Sequence, residues 1–264
     1  MRPPAVAGLF YPDDEHELRD AVSAYLRQPR ADTAARPPKA LVVPHAGYIY
    51  SGGIAAAAYA TVARLRQTIR RIVLIGPSHR VYLRGMAVPV ASCFATPLGR
   101  IEVDHELKSV LAQRGDVVEA DAPHAQEHSL EVQLPFLQLL FEDFTLLPLV
   151  LGSVAPEQVA AALAQAWGDA ATLVLVSSDL SHYHTYEQAQ QIDAVTSAAI
   201  LRRESTLVGE QACGAVGING LLYLAGQRRL AVSEIARCNS GDTAGDRSRV
   251  VGYGAFAVHE PGNA

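Results

Sequence analysis

No stretch of this 264-residue chain approaches the ~18 consecutive apolar residues of a membrane span. The opening Met1-Arg2-Pro3-Pro4 lacks the apolar core of a signal peptide. A soluble, cytoplasmic protein with no membrane partner is therefore predicted. Cysteine is scarce: three residues, Cys93, Cys213 and Cys238, are too few and too widely spaced for a disulfide framework, which fits a reducing compartment. Excess positive charge is missing too. Charged residues make up 19% of the chain and the formal charge is −5, so nucleic acid is not an expected partner. There is no Gly-x-x-x-x-Gly-Lys phosphate loop and no Gly-x-Ser-x-Gly elbow, which removes the phosphate-loop and serine-hydrolase readings. Low-complexity tracts and long repeats are also absent. With 49% hydrophobic residues, a chain of this length can bury a substantial core, and a single domain over 1–264 is the simplest organisation.

What the chain does have is a repeated strand ending. Lys39-Ala40-Leu41-Val42-Val43-Pro44-His45 and Arg71-Ile72-Val73-Leu74-Ile75-Gly76-Pro77-Ser78-His79 are apolar, β-branched runs that close in proline and then histidine. Open α/β sheets bind ligands outside the carboxyl ends of their strands. Two histidines delivered there could converge if the strands are neighbours, and imidazole suits iron, zinc and copper.

The rest of the chain alternates in the same way. A helix is expected after Asp13 or Asp14, with Leu18, Ala21, Val22 and Tyr25 at helical spacing, dissolving near Pro29 into a basic linker that runs to Pro38. Ser51 can cap a small-residue helix over 53–64. Short strands are expected over 86–90 and 99–103, and an amphipathic helix from Asp104 with Leu107, Val110 and Leu111 on one face. Leu130, Leu134, Leu137 and Phe141 predict helix over 127–141, with a bend or late start at Pro135. A strand over 144–151, a helix over 156–167 and a strand over 171–177 follow. Helices over 186–202 and 217–225 and strands over 230–238 and 249–259 complete an α/β pattern.

The third strand ending, Ser178-Asp179-Leu180-Ser181-His182-Tyr183-His184, places Asp179 three residues before His182, where a carboxylate can orient an imidazole. The alternative is an Asx-type cap on the next helix. Glu127-His128 precedes an apolar helix, where Glu127 would favour the positive N-terminus and His128 would sit at the boundary. Cys238 ends an apolar strand and enters a polar, glycine-containing loop, whereas Cys93 and Cys213 lie in surroundings typical of packing. A thiolate at Cys238 could complete a His₂Cys set. A blue-copper likeness is superficial, because the sole methionines are Met1 and Met86.

Taken in order, Ala7-Gly8-Leu9-Phe10-Tyr11, Pro44-His45-Ala46-Gly47-Tyr48, Gly76-Pro77-Ser78-His79, Glu127-His128-Ser129-Leu130-Glu131, Ser177-Ser178-Asp179-Leu180-Ser181-His182 and Cys213-Gly214 resemble the Memo-like family, known in prokaryotes as AmmeMemoRadiSam system protein B. The likeness covers nearly the whole chain. It implies a central mixed, largely parallel sheet flanked by helices, similar to class III extradiol dioxygenases, in which two histidines and a carboxylate hold non-haem iron(II). It implies a metal site of His45, His79 and Cys238, with Asp179 and His182 lining the same pocket; in the mechanism expected here His182, oriented or aided by Asp179, shuttles a proton, and Tyr48 and His128 shape the substrate pocket. Iron(II) is the leading metal, with copper or zinc as alternatives, since thiolate in place of carboxylate softens the site. A redox or oxygen-dependent reaction on an unknown small molecule is the expected activity. The rival is a non-catalytic module that uses the cleft for a peptide or partner protein, and the family name implies AMMECR1-like and radical-SAM proteins as company. The sequence departs from the family at Tyr183, where tryptophan is usual, and at Asn239-Ser240-Gly241 after Cys238.

Overall fold

A computed structural model describes residues 1–28 and 36–261. The N-terminal lead-in is followed by α1 (Glu15–Leu26), β1 (Ala40–Val43), α2 (Tyr48–Ala60), β2 (Arg71–Pro77) and β3 (Met86–Val88). Next come β4 (Cys93–Thr96), β5 (Gly99–Glu102), α3 (His105–Ala112), β6 (Val117–Glu119), α4 (Ala122–Ala125), α5 (His128–Glu131) and α6 (Leu134–Leu140). The last part runs β7 (Thr145–Leu151), α7 (Pro156–Ala166), β8 (Thr172–Ser177), β9 (His182–His184), α8 (Tyr186–Leu201), α9 (Ala215–Arg228), β10 (Ala231–Asn239) and β11 (Val250–His259). The basic linker expected up to Pro38 lies outside the described residues as far as position 35.

The main sheet has nine strands in the order β10-β11-β1-β8-β2-β7-β3-β6, with β9 added against β11. Its centre, β1-β8-β2-β7, is parallel, while β10, β11 and β9 pair antiparallel on one side and β3 meets β7 antiparallel on the other. This is a mixed, largely parallel sheet flanked by helices. The two histidine-bearing strands are not adjacent; β8 lies between β1 and β2. The consequence favours the site. All three strands run the same way, so three polar strand ends arrive at one edge.

Burial on both faces explains the unbroken apolar runs. Along β1, Ala40 and Val42 point into one core with Val159, Leu163, Ile218 and Leu222 of α7 and α9. Leu41 and Val43 point into the other with Leu18 and Val22 of α1, Ala56 and Tyr59 of α2, and Leu137 of α6. Alternation along a strand thus builds an α/β/α sandwich.

Local chemistry sets the helix ends. Asp14 caps α1 by accepting from the N–H groups of His16 and Glu17, and Asp104 caps α3 through Leu107. Ser51 does not cap α2, which begins at Tyr48, five residues before the expected start; Ser51 is buried inside it and donates to the Ala46 carbonyl. The small residues of α2 serve a close crossing with α1, where a Cβ on Gly52 would lie 2.8 Å from the Tyr25 ring. Residues 127–141 divide into α5 and α6, with Pro135 in the first turn of α6, where its missing N–H costs nothing. The short strands β4, β6 and β9 are too brief to leave a period in the sequence.

Candidate metal centre

His45, in the loop after β1, is the most buried of the three histidines of the site. Its Nδ1 lies 2.9 Å from Ser177 Oγ, at the end of β8. That hydroxyl donates its only proton to the Ser129 carbonyl and accepts from Gln133 Nε2, so it must also accept from His45. The His45 proton therefore sits on Nδ1, and Nε2 carries the lone pair. The same argument applies after β2. His79 Nδ1 is 2.8 Å from Glu127 Oε1, and the His79 main-chain N–H donates to Oε2 at 2.6 Å. Burial opposes charge on Glu127, but the bonds from the His79 ring and from the main chain of His79 and Ser129 outweigh it and hold the carboxyl down at about 2. An ionised carboxylate accepts, so the His79 proton also sits on Nδ1 and its Nε2 carries the lone pair.

His128 follows Glu127 and packs its ring against His79, with centroids 4.6 Å apart at 21°. The rings of His45 and His79, and of His45 and His128, are each 5.3 Å apart and nearly perpendicular. One nitrogen from each of the three lies within 4.8 Å of the other two. Burial, then the neighbouring imidazoles, push His45 well below its ordinary value. Burial lowers His128 to about 4 against the opposing pull of Glu127. Neutral imidazoles are the form that binds metal.

The three histidines line a cavity of about 720 Å³ together with Phe10, Asp179, His182 and Cys213. The thiol expected at this cavity, Cys238, is not the one that lines it. Cys238, on β10, lines a separate pocket of about 290 Å³ with Asp193 and Asp242. The sulfur facing the imidazoles is Cys213, 3.2 Å from His45 Nε2, in the turn that starts α9. A strand end looked like a ligand position, whereas a helix start reaches the sheet edge equally well. The Cys213-Gly214 pair was the signal available for it. Burial, and then the Asp179 carboxylate, push the Cys213 thiol up to about 12. It is a neutral S–H, suited to donate toward the His45 lone pair.

Asp179 and His182 both line the cavity but do not touch as expected. Asp179 Oδ1 accepts the His45 main-chain N–H at 2.7 Å, and burial raises its carboxyl to about 7 against the bonds from His45 and Ala46. His182 takes its orientation from the Leu180 carbonyl, 2.9 Å from Nδ1, so the main chain fixes the tautomer that the carboxylate was expected to fix. Its Nε2 remains an acceptor. Tyr48 does not line the cavity; it is buried and donates to the Val132 carbonyl, while Phe10 and Tyr183 supply the aromatic walls. His128, expected only to shape the pocket, belongs to the nitrogen cluster.

An α/β/α sandwich that gathers three imidazole nitrogens at the carboxyl ends of its parallel strands defines a protein with a candidate metal site. A family model described as Memo-like protein matches residues 2–257, and the chain belongs to that family. Among curated relatives, a MEMO1 family protein of Thermotoga neapolitana is 35% identical, covering 96% of this chain and 98% of its own. One from Methanobrevibacter smithii is 37% identical, covering 96% and 98%. One from Ignicoccus hospitalis is 36% identical, covering 99% of both. The crystal structure of an uncharacterized protein from Escherichia coli K12 superposes with a TM-score of 0.50 at 14% identity, over 84% of this chain and 100% of that one, which is a likeness of fold. Among the described residues no helix is long and apolar enough to cross a membrane.

Proposed function

We propose that this protein is a metal-dependent redox enzyme that acts on a small organic molecule, with iron(II) as the leading metal and copper or zinc as competitors. One observation carries the reading: donor atoms of His45, His79 and His128 lie within 4.8 Å of one another on the wall of an open cavity. The residues fit a transition metal. Two of the rings have their Nδ1 protons committed to Ser177 and Glu127, which leaves their Nε2 lone pairs available to a metal, and imidazole suits iron, copper or zinc. A bound redox metal would supply Lewis acidity and electron transfer there.

The chain's own groups divide the remaining work. His182 holds its Nδ1 proton on the Leu180 carbonyl and offers Nε2 as a base facing the cavity. Asp179 fixes the main chain of His45, with a carboxyl that titrates near neutrality. Cys213 gives up its proton if its sulfur joins the metal. Phe10 packs on His128, with ring centroids 4.8 Å apart, and steadies that ring. Anaerobic purification with elemental analysis, followed by metal titration of His45→Ala, His79→Ala and His128→Ala, tests the reading. Each loss should exceed the ~10–100-fold typical of residues behind the ligands. Unchanged iron(II) and copper(I) affinity in all three variants overturns it.

A second reading, a docking cleft without turnover, draws on Tyr183, which lines the cavity yet is 63% exposed. The occupant would be a peptide or a partner such as an AMMECR1-like or radical-SAM protein. Loss of binding in Tyr183→Ser with metal content unchanged would support it.

A further inference from the structure

The least expected participant in this site is the second residue of the chain. Arg2 is buried at 4% exposure and its guanidinium makes three bonds to a single stretch, residues 124–131. Its Nε donates to the His124 carbonyl at 3.0 Å, Nη2 donates to the Glu127 carbonyl at 2.7 Å, and Nη1 pairs with the Glu131 carboxylate. Glu131 in turn accepts from the main-chain N–H groups of Ala5 and Val6 and from the Tyr11 hydroxyl. The stretch so clasped carries Glu127, which holds His79 by ring and main chain, and His128. The N-terminal segment closes the circuit: Phe10 packs on His128 with centroids 4.8 Å apart, and its carbonyl accepts from the Tyr48 N–H.

A buried Arg–Glu pair is weak evidence of stabilisation, because desolvation offsets most of the attraction. Its geometry is informative instead. The rigid fork of a guanidinium can satisfy three acceptors in fixed relation, which an ammonium cannot do. We infer that Arg2 is a positioning residue for the candidate metal centre: by fixing the carbonyls of His124 and Glu127 and the carboxylate of Glu131, it sets where the Glu127 carboxylate and the His128 ring stand relative to His45. The inference rests on the proposed metal reading for its functional meaning, but the positioning itself can be read without metal.

The test uses full-length protein, wild type, Arg2→Lys and Arg2→Met. Long-range nitrogen spectra of ¹⁵N-histidine-labelled, metal-free protein report the ring tautomers. In wild type His79 should be fixed with its proton on Nδ1; in both variants that signal should broaden or shift toward a mixture of tautomers. Anaerobic cobalt(II) titration should show roughly tenfold weaker binding in both variants, within the range for groups that orient ligands, with a displaced d–d absorption band. Lys39→Met is the control for destabilisation alone, since Lys39 is buried at the opposite edge of the sheet, where it bonds the Thr172 carbonyl. It should lower the melting temperature and leave the cobalt spectrum alone. If the Arg2 variants only lose melting temperature, with histidine tautomers and cobalt spectrum as in wild type, the positioning role is overturned. If Arg2→Met does not fold, Arg2→Lys decides alone, because it retains a charge for Glu131 while losing the fork. Should wild-type protein bind no cobalt, the metal reading fails, and the tautomer spectra still decide whether Arg2 positions His79.

Discussion

Cys213 and Cys238 have the same raised thiol, at about 12 in each case, yet their surroundings give them different chemistry. Cys238 owes its shift to burial and then to Asp242 and Asp193, whose negative charges oppose a thiolate, and no imidazole is among the causes. Cys213 lies 3.2 Å from His45 Nε2, so a cation replacing that proton would turn it into a coordinating thiolate at once. Metal loading should therefore protect Cys213 from iodoacetamide and leave the slow labelling of Cys238 unchanged, as read by peptide mass spectrometry. Equal labelling of Cys213 with and without metal would show that its sulfur stays outside the coordination sphere. His182 allows a companion prediction. His182→Ala should keep metal content within about twofold and abolish any turnover, because its Nε2 faces the cavity while its Nδ1 serves only the Leu180 carbonyl. Loss of metal from this variant would make it a ligand.

At the scale of elements, the site depends on how closely α9 begins against β8. A Cβ on Gly214 would lie 2.7 Å from the Ser177 carbonyl oxygen and 2.6 Å from Ser178 Cβ, and the former is main chain that cannot turn aside. Gly214→Ala should cost about 1–3 kcal/mol in chemical denaturation. By pushing α9 outward it should also weaken the contact of Cys213 with His45, and unaltered stability would refute the close approach. This packing also explains what was legible beforehand. The strand ends at His45 and His79 were readable because long apolar runs followed by proline leave a strong period, and the parallel centre of the sheet follows from the same runs. Cys213 was not, since a helix start at the sheet edge has no period of its own. Nor could the separation of β1 and β2 by β8 be read, because strand order is a long-range property. Arg2 gave no sign, since its partners lie more than 120 residues away. Tyr183 is similar: its positive φ of 65° accompanies a register shift between β9 and β11 that turns His182, Tyr183 and His184 all into one cavity, against strand alternation.

For the molecule as a whole, the charge that matters is the charge it does not carry inside. His124, behind the clasp of Arg2, donates from Nε2 to the Ala87 carbonyl at 3.0 Å, while its buried Nδ1 has no partner. Burial lowers it from an ordinary value near 6.5 to about 4, with the Arg2 charge adding to the effect and the Ala87 bond, Asp121 and Glu127 opposing it. A base whose pKa is lower folded than unfolded takes up its proton more readily in the unfolded chain. Its contribution is therefore complete above pH ~6.5, declines as the pH falls toward 4, and is lost below that. The linkage is worth at most about 3.5 kcal/mol, from ~1.4 kcal/mol for each pH unit between the two values. His45 and His128 are displaced in the same direction, so metal-free protein should lose stability steeply over this window. Urea denaturation of metal-free wild type and His124→Gln at pH 7.5, 6, 5 and 4.5 isolates the share of His124. The glutamine amide can still donate toward Ala87 but takes up no proton, so the variant should be less stable than wild type at pH 7.5 and should close most of that gap by pH 4.5. A gap that stays constant across the series would mean that His124 does not change protonation on unfolding, and that the acid sensitivity comes from the histidines of the cluster alone.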